Sequence, residues 1–288
     1  MRIVSLLPSA TEILFALGAG EDVVGVSAEC DTPAEARERT VVSTSSMPAG
    51  LAPAGIDAYV AAARARGEDL FRLEEDALRD LDPTHVVTQD LCAVCAIDVE
   101  SVGDALQHLG STATVLTHDP HTLDEVLASI IGLGAAIGRS GPAQALVEDL
   151  QARLDAVAAR VADRTRPRVA VLEWTDPPYA PGHWLPEMVT RAGGEPVLGT
   201  PGDHSVRITW DELRAARPDL VVVAPCGYDR AGAQEQADAL VSSGVLPDGA
   251  AVHAVDADGH WSRPGPRIID GVEELAAVLH PDAVGGHR

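Results

Sequence analysis

The chain contains no lysine and no asparagine, so every side-chain cation is an arginine or a histidine. Without lysine there is no Walker A phosphate loop, no Schiff base and no lysine general base. Positive charge is scarce altogether: 21 basic residues against 44 acidic ones give a net charge of -23. Nucleic-acid phosphates and anionic lipid both require clustered cations, so neither is an expected partner. Cysteine is confined to Cys30, Cys92, Cys95 and Cys226, too few and too unevenly spaced for a disulfide framework. No apolar run approaches the roughly 20 residues a membrane span needs, and no membrane insertion is expected. Residues 2–7 already read as a strand, which leaves no room for a secretory signal as written. The sequence therefore predicts a cytoplasmic protein, or an extracytoplasmic one if the true N-terminus is longer.

What is present is a 288-residue chain with 46% hydrophobic residues, enough for one or two cores. Strand patterns at 2–7, 23–27, 41–43, 85–89 and 113–117 alternate with helical runs at 10–17, 56–66, 74–81, 99–109 and 123–138. The second half repeats the alternation, with strands at 168–174, 220–224 and 252–255 and helices near 185–192, 210–216, 231–241 and 266–279. Such alternation favours mostly parallel sheets with helices on both faces. Between the halves, Leu146, Val147, Leu150, Leu154, Val157 and Val161 recur at three- and four-residue steps. Gly141-Pro142 opens this stripe and Arg166-Pro167 closes it, giving a helix of roughly 24 residues and about 36 Å. The predicted architecture is α/β, two lobes of residues 1–140 and 167–288 joined by one backbone helix at 141–166. Two lobes on one spine suggest binding between them.

Ligands of open α/β sheets bind beyond the carboxyl ends of strands, which directs attention to the loops that follow strands. After the first strand, Pro8-Ser9-Ala10-Thr11-Glu12 has the spacing of a capping box, and the helix N-terminus it fixes can offer backbone amides to a ligand. After 85–89 comes Asp90-Leu91-Cys92-Ala93-Val94-Cys95. This lone CxxC has three readings: a redox pair, half of a zinc site with His118 and His121 as possible partners, or part of a cleft wall or of local packing, with the two histidines then exposed polar loop residues. Aromatics make up only 3% of the chain, yet Trp174, Tyr179, Trp184 and Trp261 all fall in or beside the loops after strands. Flat apolar side chains so placed suit a broad, partly apolar ligand with polar edges, such as a macrocycle. His183, in the same loop, can hydrogen-bond an amide or approach a metal. Trp210 reads as the opening residue of a helix. No Gly-x-Ser-x-Gly elbow, HExxH or dinucleotide fingerprint is present, and no catalytic residue and no resident metal are expected.

Several ordered segments carry a resemblance: Arg2-Ile3-Val4-Ser5-Leu6-Leu7-Pro8-Ser9-Ala10-Thr11-Glu12 with Gly18 and Val24-Gly25-Val26, then Asp176-Pro177-Pro178-Tyr179, Ala192-Gly193-Gly194-Glu195, Arg217-Pro218-Asp219-Leu220-Val221-Val222-Val223, and Ser262-Arg263-Pro264-Gly265-Pro266-Arg267-Ile268-Ile269. Together they resemble the cobalamin-binding proteins of ABC transporters, within the helical-backbone substrate-binding family that also takes siderophores and haem. The resemblance implies two three-layer α/β lobes, non-catalytic capture of a corrinoid or another metal chelate in the cleft, and no cofactor beyond that ligand. The loops after strands and the aromatics they carry predict Pro8, Ser9, Cys92, Trp174, Tyr179, His183, Trp184 and Trp261 as cleft residues. The resemblance also implies an ABC transporter permease as partner, docked through Asp76 and Asp211, although an aspartate at a helix start can equally be a cap. The sequence departs from the better-known cobalamin binders at 45–67 and around Cys92 and Cys95. A haem or ferric-siderophore binder and a thiol-based redox or metal protein therefore stand beside the corrinoid reading.

Overall fold

The computed structural model describes residues 1–89 and 99–284, so Cys92 and Cys95 lie outside the described residues. The chain forms two compact units, the first from residues 1–120 and 127–147, the second from 121–126 and residue 148 onward.

The first unit contains β1 (Ile3–Ser5), α1 (Pro8–Ala16), β2 (Val23–Ser27), β3 (Thr40–Ser45), α2 (Pro53–Arg66), β4 (Phe71–Leu73), α3 (Glu75–Leu81), β5 (His85–Thr88), α4 (Val99–His108) and β6 (Thr114–Thr117). It also holds most of α5 (Leu123–Ala136) and the start of α6 (Ser140–Val161). Its sheet runs β4-β3-β2-β1-β5-β6 and is parallel except for β4. A central parallel strand is covered on both faces, and β1 accordingly is buried at every residue. Edge strand β4 alternates half-buried Phe71 and Leu73 with exposed Arg72, a three-residue pattern too short to stand out in the sequence. Val4, Leu6, Val42, Leu78, Val86, Val102 and Leu106 form one core cluster. Helix α3 approaches β2 so closely that a Cβ at Gly25 would stand 2.6 Å from Leu81 Cδ1, which is why the strand carries glycine there.

The expected capping box at Ser9 and Glu12 does not form. Helix α1 begins at Pro8, whose missing N–H costs nothing in the first turn, and its N-cap is Leu7 with no side-chain cap. Ser9 and Glu12 both lie inside the helix, each 5% exposed. Thr11 Oγ1 instead lies 3.0 Å from the Leu7 carbonyl, 2.9 Å from Ser5 Oγ and 3.1 Å from Cys30 Sγ.

The second unit contains β7 (Arg168–Leu172), β8 (Trp174–Thr175), β9 (Pro178–Ala180), α7 (Leu185–Arg191), β10 (Glu195–Pro196), β11 (Val206–Arg207), α8 (Trp210–Ala216), β12 (Leu220–Val223), α9 (Arg230–Ser243), β13 (Ala251–Ala254), α10 (Ala257–His260), α11 (Ile268–Leu279) and α12 (Pro281–Val284). Strands β10-β7-β12-β13 make a fully parallel sheet, and β11-β9-β8 a small antiparallel one that the sequence patterns did not reveal. The apolar runs of β7 and β12 pack with Leu213 of α8 and with Ala233, Ala237 and Leu240 of α9. Trp210 opens α8 as expected, behind a capping box formed by Thr209 and Glu212.

Helix α6 is one unbroken element of 22 residues. Leu150, Leu154, Val157 and Val161 of the predicted stripe are buried, and Leu146 and Val147 half-buried. It ends at Val161 rather than at 166, because Val161 is the last apolar residue of the stripe and Arg164 N closes a tight turn on its carbonyl at 3.1 Å. The boundary between the compact units falls within it, after Val147. In the second unit Arg153 of α6 bonds Glu273 of α11 through Nε at 3.0 Å and a terminal nitrogen at 2.6 Å, and Asp270 at 2.5 Å. Because this clamp is partly solvated, Arg153→Met is expected to lower stability by about 1 kcal/mol, and by less in high salt. Urea unfolding at two salt concentrations checks both parts.

Candidate functional site

Strand β7 ends at Leu172, and the chain then passes through Glu173 and Trp174 into the small antiparallel sheet. Trp174 lies directly opposite Tyr179, and Tyr179 directly opposite Arg207. Directly opposed residues of neighbouring antiparallel strands share a face, so the three form one row. Trp174 and Tyr179 are part-buried and Arg207 exposed. Tyr228 joins them from the loop after β12, its ring 5.9 Å from that of Trp174 and tilted by 58°. Trp174 Nε1 donates to the Asp176 carbonyl at 3.2 Å, which fixes the indole. Burial pushes the Tyr228 hydroxyl above its ordinary pKa, so it remains a hydrogen-bond donor at neutral pH. The row sits at the carboxyl ends of β7 and β12, where parallel sheets place their ligands.

Two of the expected platforms are not part of this face. Trp261 is fully buried and Trp184 is 6% exposed, so both are interior side chains. Trp184 immediately precedes α7 and donates from Nε1 to the Trp261 carbonyl at 2.8 Å. Trp261 caps α10 and packs on α11 at Gly271, where a Cβ would stand 3.3 Å from its Nε1. Rare aromatics beside loops suggested a surface role, but these two rings fill the space between short helices. Tyr228 was missed, although it carries the same signal of an aromatic just after a strand.

The loop from 181 to 183 is built by backbone packing. His183 adopts the left-handed conformation at φ 51°, donates its N–H to Asp203 O at 2.7 Å and accepts at its carbonyl from Gly202 N at 3.0 Å. A Cβ at Gly182 would meet Ser205 N at 2.4 Å, and one at Gly199 would meet Pro181 O at 2.0 Å. The part-buried Glu173 turns its carboxylate into this loop, accepting from Gly182 N at 3.2 Å and from Ser205 Oγ at 2.5 Å. Burial raises its pKa, and the two hydrogen bonds offset that only partly. Around His183 stand His121 and His204, with ring centres 5.6 and 5.3 Å away. Burial, then the charges of His204 and His121, push the His183 pKa down to about 4, so it is neutral at pH 7.

In the first unit, Pro8 is half-buried and Ser9 buried at the carboxyl end of β1. Cys92 lies outside the described residues. His118, read as a solvated loop residue or a zinc partner, is buried at 4% exposure. Neither Asp76 nor Asp211 caps its helix: both sit in the first turn, behind Glu74 and Thr209. They are 89% and 93% exposed, and each pairs with the arginine three residues on, Asp76 with Arg79 at 2.7 Å and Asp211 with Arg214. The two units thus present the same exposed acidic arrangement on a short helix.

The sequence profile of the periplasmic binding protein family matches residues 3–253. An ABC transporter substrate-binding lipoprotein of Bacillus subtilis is 27% identical over 98% of this chain and 80% of its own length. A vitamin B12-binding protein of Yersinia pestis is 24% identical over 96% and 86%. Among solved structures, a periplasmic heme-binding protein of Roseiflexus in apo form superposes with a TM-score of 0.71 at 21% identity, covering 98% of both chains. No helix among the described residues is long and apolar enough to cross a membrane. With its profile match over most of the length and its α/β units sharing one backbone helix, the chain belongs to the periplasmic binding protein family.

Proposed function

We propose that this protein binds a corrinoid without chemical transformation and delivers it to an ABC transporter permease. The observation that carries the reading is the accessible aromatic row of Trp174, Tyr179 and Tyr228 at the strand ends of the second unit. Flat rings there provide apolar contact for a macrocycle, and the Tyr228 hydroxyl a polar contact for its edge. The name of the Yersinia relative supports the ligand class. Asp76 and Asp211 are the proposed docking residues, each exposed on its own unit. Of the two locations left open by the sequence, the extracytoplasmic one accords with relatives named as lipoprotein and periplasmic proteins.

Arg207 favours a second reading. A guanidinium exposed in line with Tyr179 suits a carboxylate, and a haem carries carboxylates where cobalamin carries mainly amides. Tryptophan-fluorescence titration with cyanocobalamin and with haemin separates the two. Under the first reading Trp174→Ala and Tyr228→Ala each weaken cyanocobalamin binding by about 1 kcal/mol or more, and Arg207→Gln leaves it unchanged. Haemin binding that is lost in Arg207→Gln, with no cobalamin response in the native protein, selects the second.

A further inference from the structure

We infer that His121, His183 and His204 form a binding site for a divalent transition-metal ion such as Zn²⁺, separate from the aromatic row. The three residues are far apart in sequence, yet all belong to the second compact unit. Their ring centres are 5.3, 5.6 and 5.9 Å apart. An imidazole nitrogen binds zinc at about 2.0–2.1 Å with its ring centre about 1 Å further out, so two imidazoles at tetrahedral positions have centres roughly 5 Å apart. The observed triangle is within a few tenths of an ångström to an ångström of that spacing.

The ring chemistry points the same way. His121 Nδ1 lies 3.2 Å from the Gly202 carbonyl, which only accepts, so Nδ1 carries the proton and the neutral ring keeps its lone pair on Nε2. A backbone carbonyl in this role is the usual outer partner of a metal-ligating histidine. His183 Nε2 is buried and has no hydrogen-bond partner among the described residues. A buried nitrogen without a partner, on a ring with two other imidazole centres within 6 Å, is a position an ion would satisfy.

Two of the ligands are held by the scaffold. His183 directly precedes the residue that leads into α7, and its backbone is pinned on both sides by Asp203 and Gly202. His121 stands before α5, and that helix start is tied to α7 by Leu123 N to Glu187 Oε2 at 2.6 Å and by Arg191 to Asp124 at 3.4 Å. The third, His204, is exposed and free to turn. As the side chains stand, no three His, Cys, Asp or Glu among the described residues are already arranged to hold an ion. A rotation of His204 is the movement that closes the site. Imidazole donors suit zinc, nickel and copper, and three protein ligands leave a fourth position for water.

The test titrates the full-length protein with Co²⁺ as a spectroscopic stand-in for zinc, followed by competition with Zn²⁺. One Co²⁺ per chain is expected, with tetrahedral d–d absorption and no thiolate charge-transfer band. His204→Gln and His121→Gln should each weaken binding at least tenfold, while Cys92→Ser/Cys95→Ser leaves it unchanged. These variants carry the test because His183→Gln alters a residue with a left-handed backbone and can unfold the loop. The absence of stoichiometric binding, its loss only in the double cysteine variant, or its persistence in both histidine variants overturns the proposal. Cyanocobalamin and haemin titrations of His204→Gln are expected to match the native protein, so this site can fail without bearing on the ligand of the aromatic row.

Discussion

Trp261→Ala is expected to lower folding stability by about 3–5 kcal/mol, the range for removing a fully buried large aromatic. The loss comes from the cavity left beside Gly271 of α11, while the Trp184 indole keeps its bond to the residue 261 carbonyl. Trp261 Nε1 makes no hydrogen bond among the described residues, so Trp261→Phe gives up volume only and should recover much of the difference. Folded Trp261→Ala molecules should still bind ligand within about twofold of the native protein, because the ring offers no surface to it. Urea unfolding beside a binding titration reads both quantities. A large drop in affinity with native-like stability would return Trp261 to the ligand face.

Gly199→Ala is expected to be nearly as damaging, at about 3 kcal/mol or more. Two costs combine. The residue sits at φ 80°, where an L side chain is strained, and its Cβ would fall 2.0 Å from the Pro181 carbonyl oxygen. Backbone cannot swing aside as the end of a flexible side chain can, so the 181–183 loop must move. Thermal unfolding gives the magnitude, and a melting temperature unchanged from the native protein would refute the packing described. Gly50 is the control, since it has a positive φ but nothing within 4 Å of its Cβ, and Gly50→Ala should cost only the backbone term.

The major elements were legible because their sequences agree with their burial. The continuous apolar runs of β1, β7 and β12 mark strands covered on both faces, and the four-residue steps of Leu150, Leu154, Val157 and Val161 mark the buried side of α6. What escaped was short: β8, β9, β10 and β11 have two or three residues each, and no periodicity can be read from two residues. The aromatic row depends on that small sheet, because only its pairing puts Trp174, Tyr179 and Arg207 side by side. For the same reason Trp174 and Trp184 looked alike in sequence, although one lies on a part-exposed strand and the other is buried with its indole bonded to the Trp261 carbonyl. The histidine triangle was invisible for a different cause, since residues 121, 183 and 204 come together only when the start of α5 joins the second unit.

The backbone bonds that hold His183 have a consequence for solvent exchange. Its amide is committed to Asp203 O, and the Gly202 amide to its own carbonyl, in a stretch that belongs to no helix and no ladder. Deuterium uptake should therefore be slow at these two amides, with protection nearer to that of β12 than to that of a loop. Residue-resolved hydrogen–deuterium exchange would show them as two isolated late-exchanging positions, a rigid knot in the segment that sequence alone marks as the most irregular of the second unit.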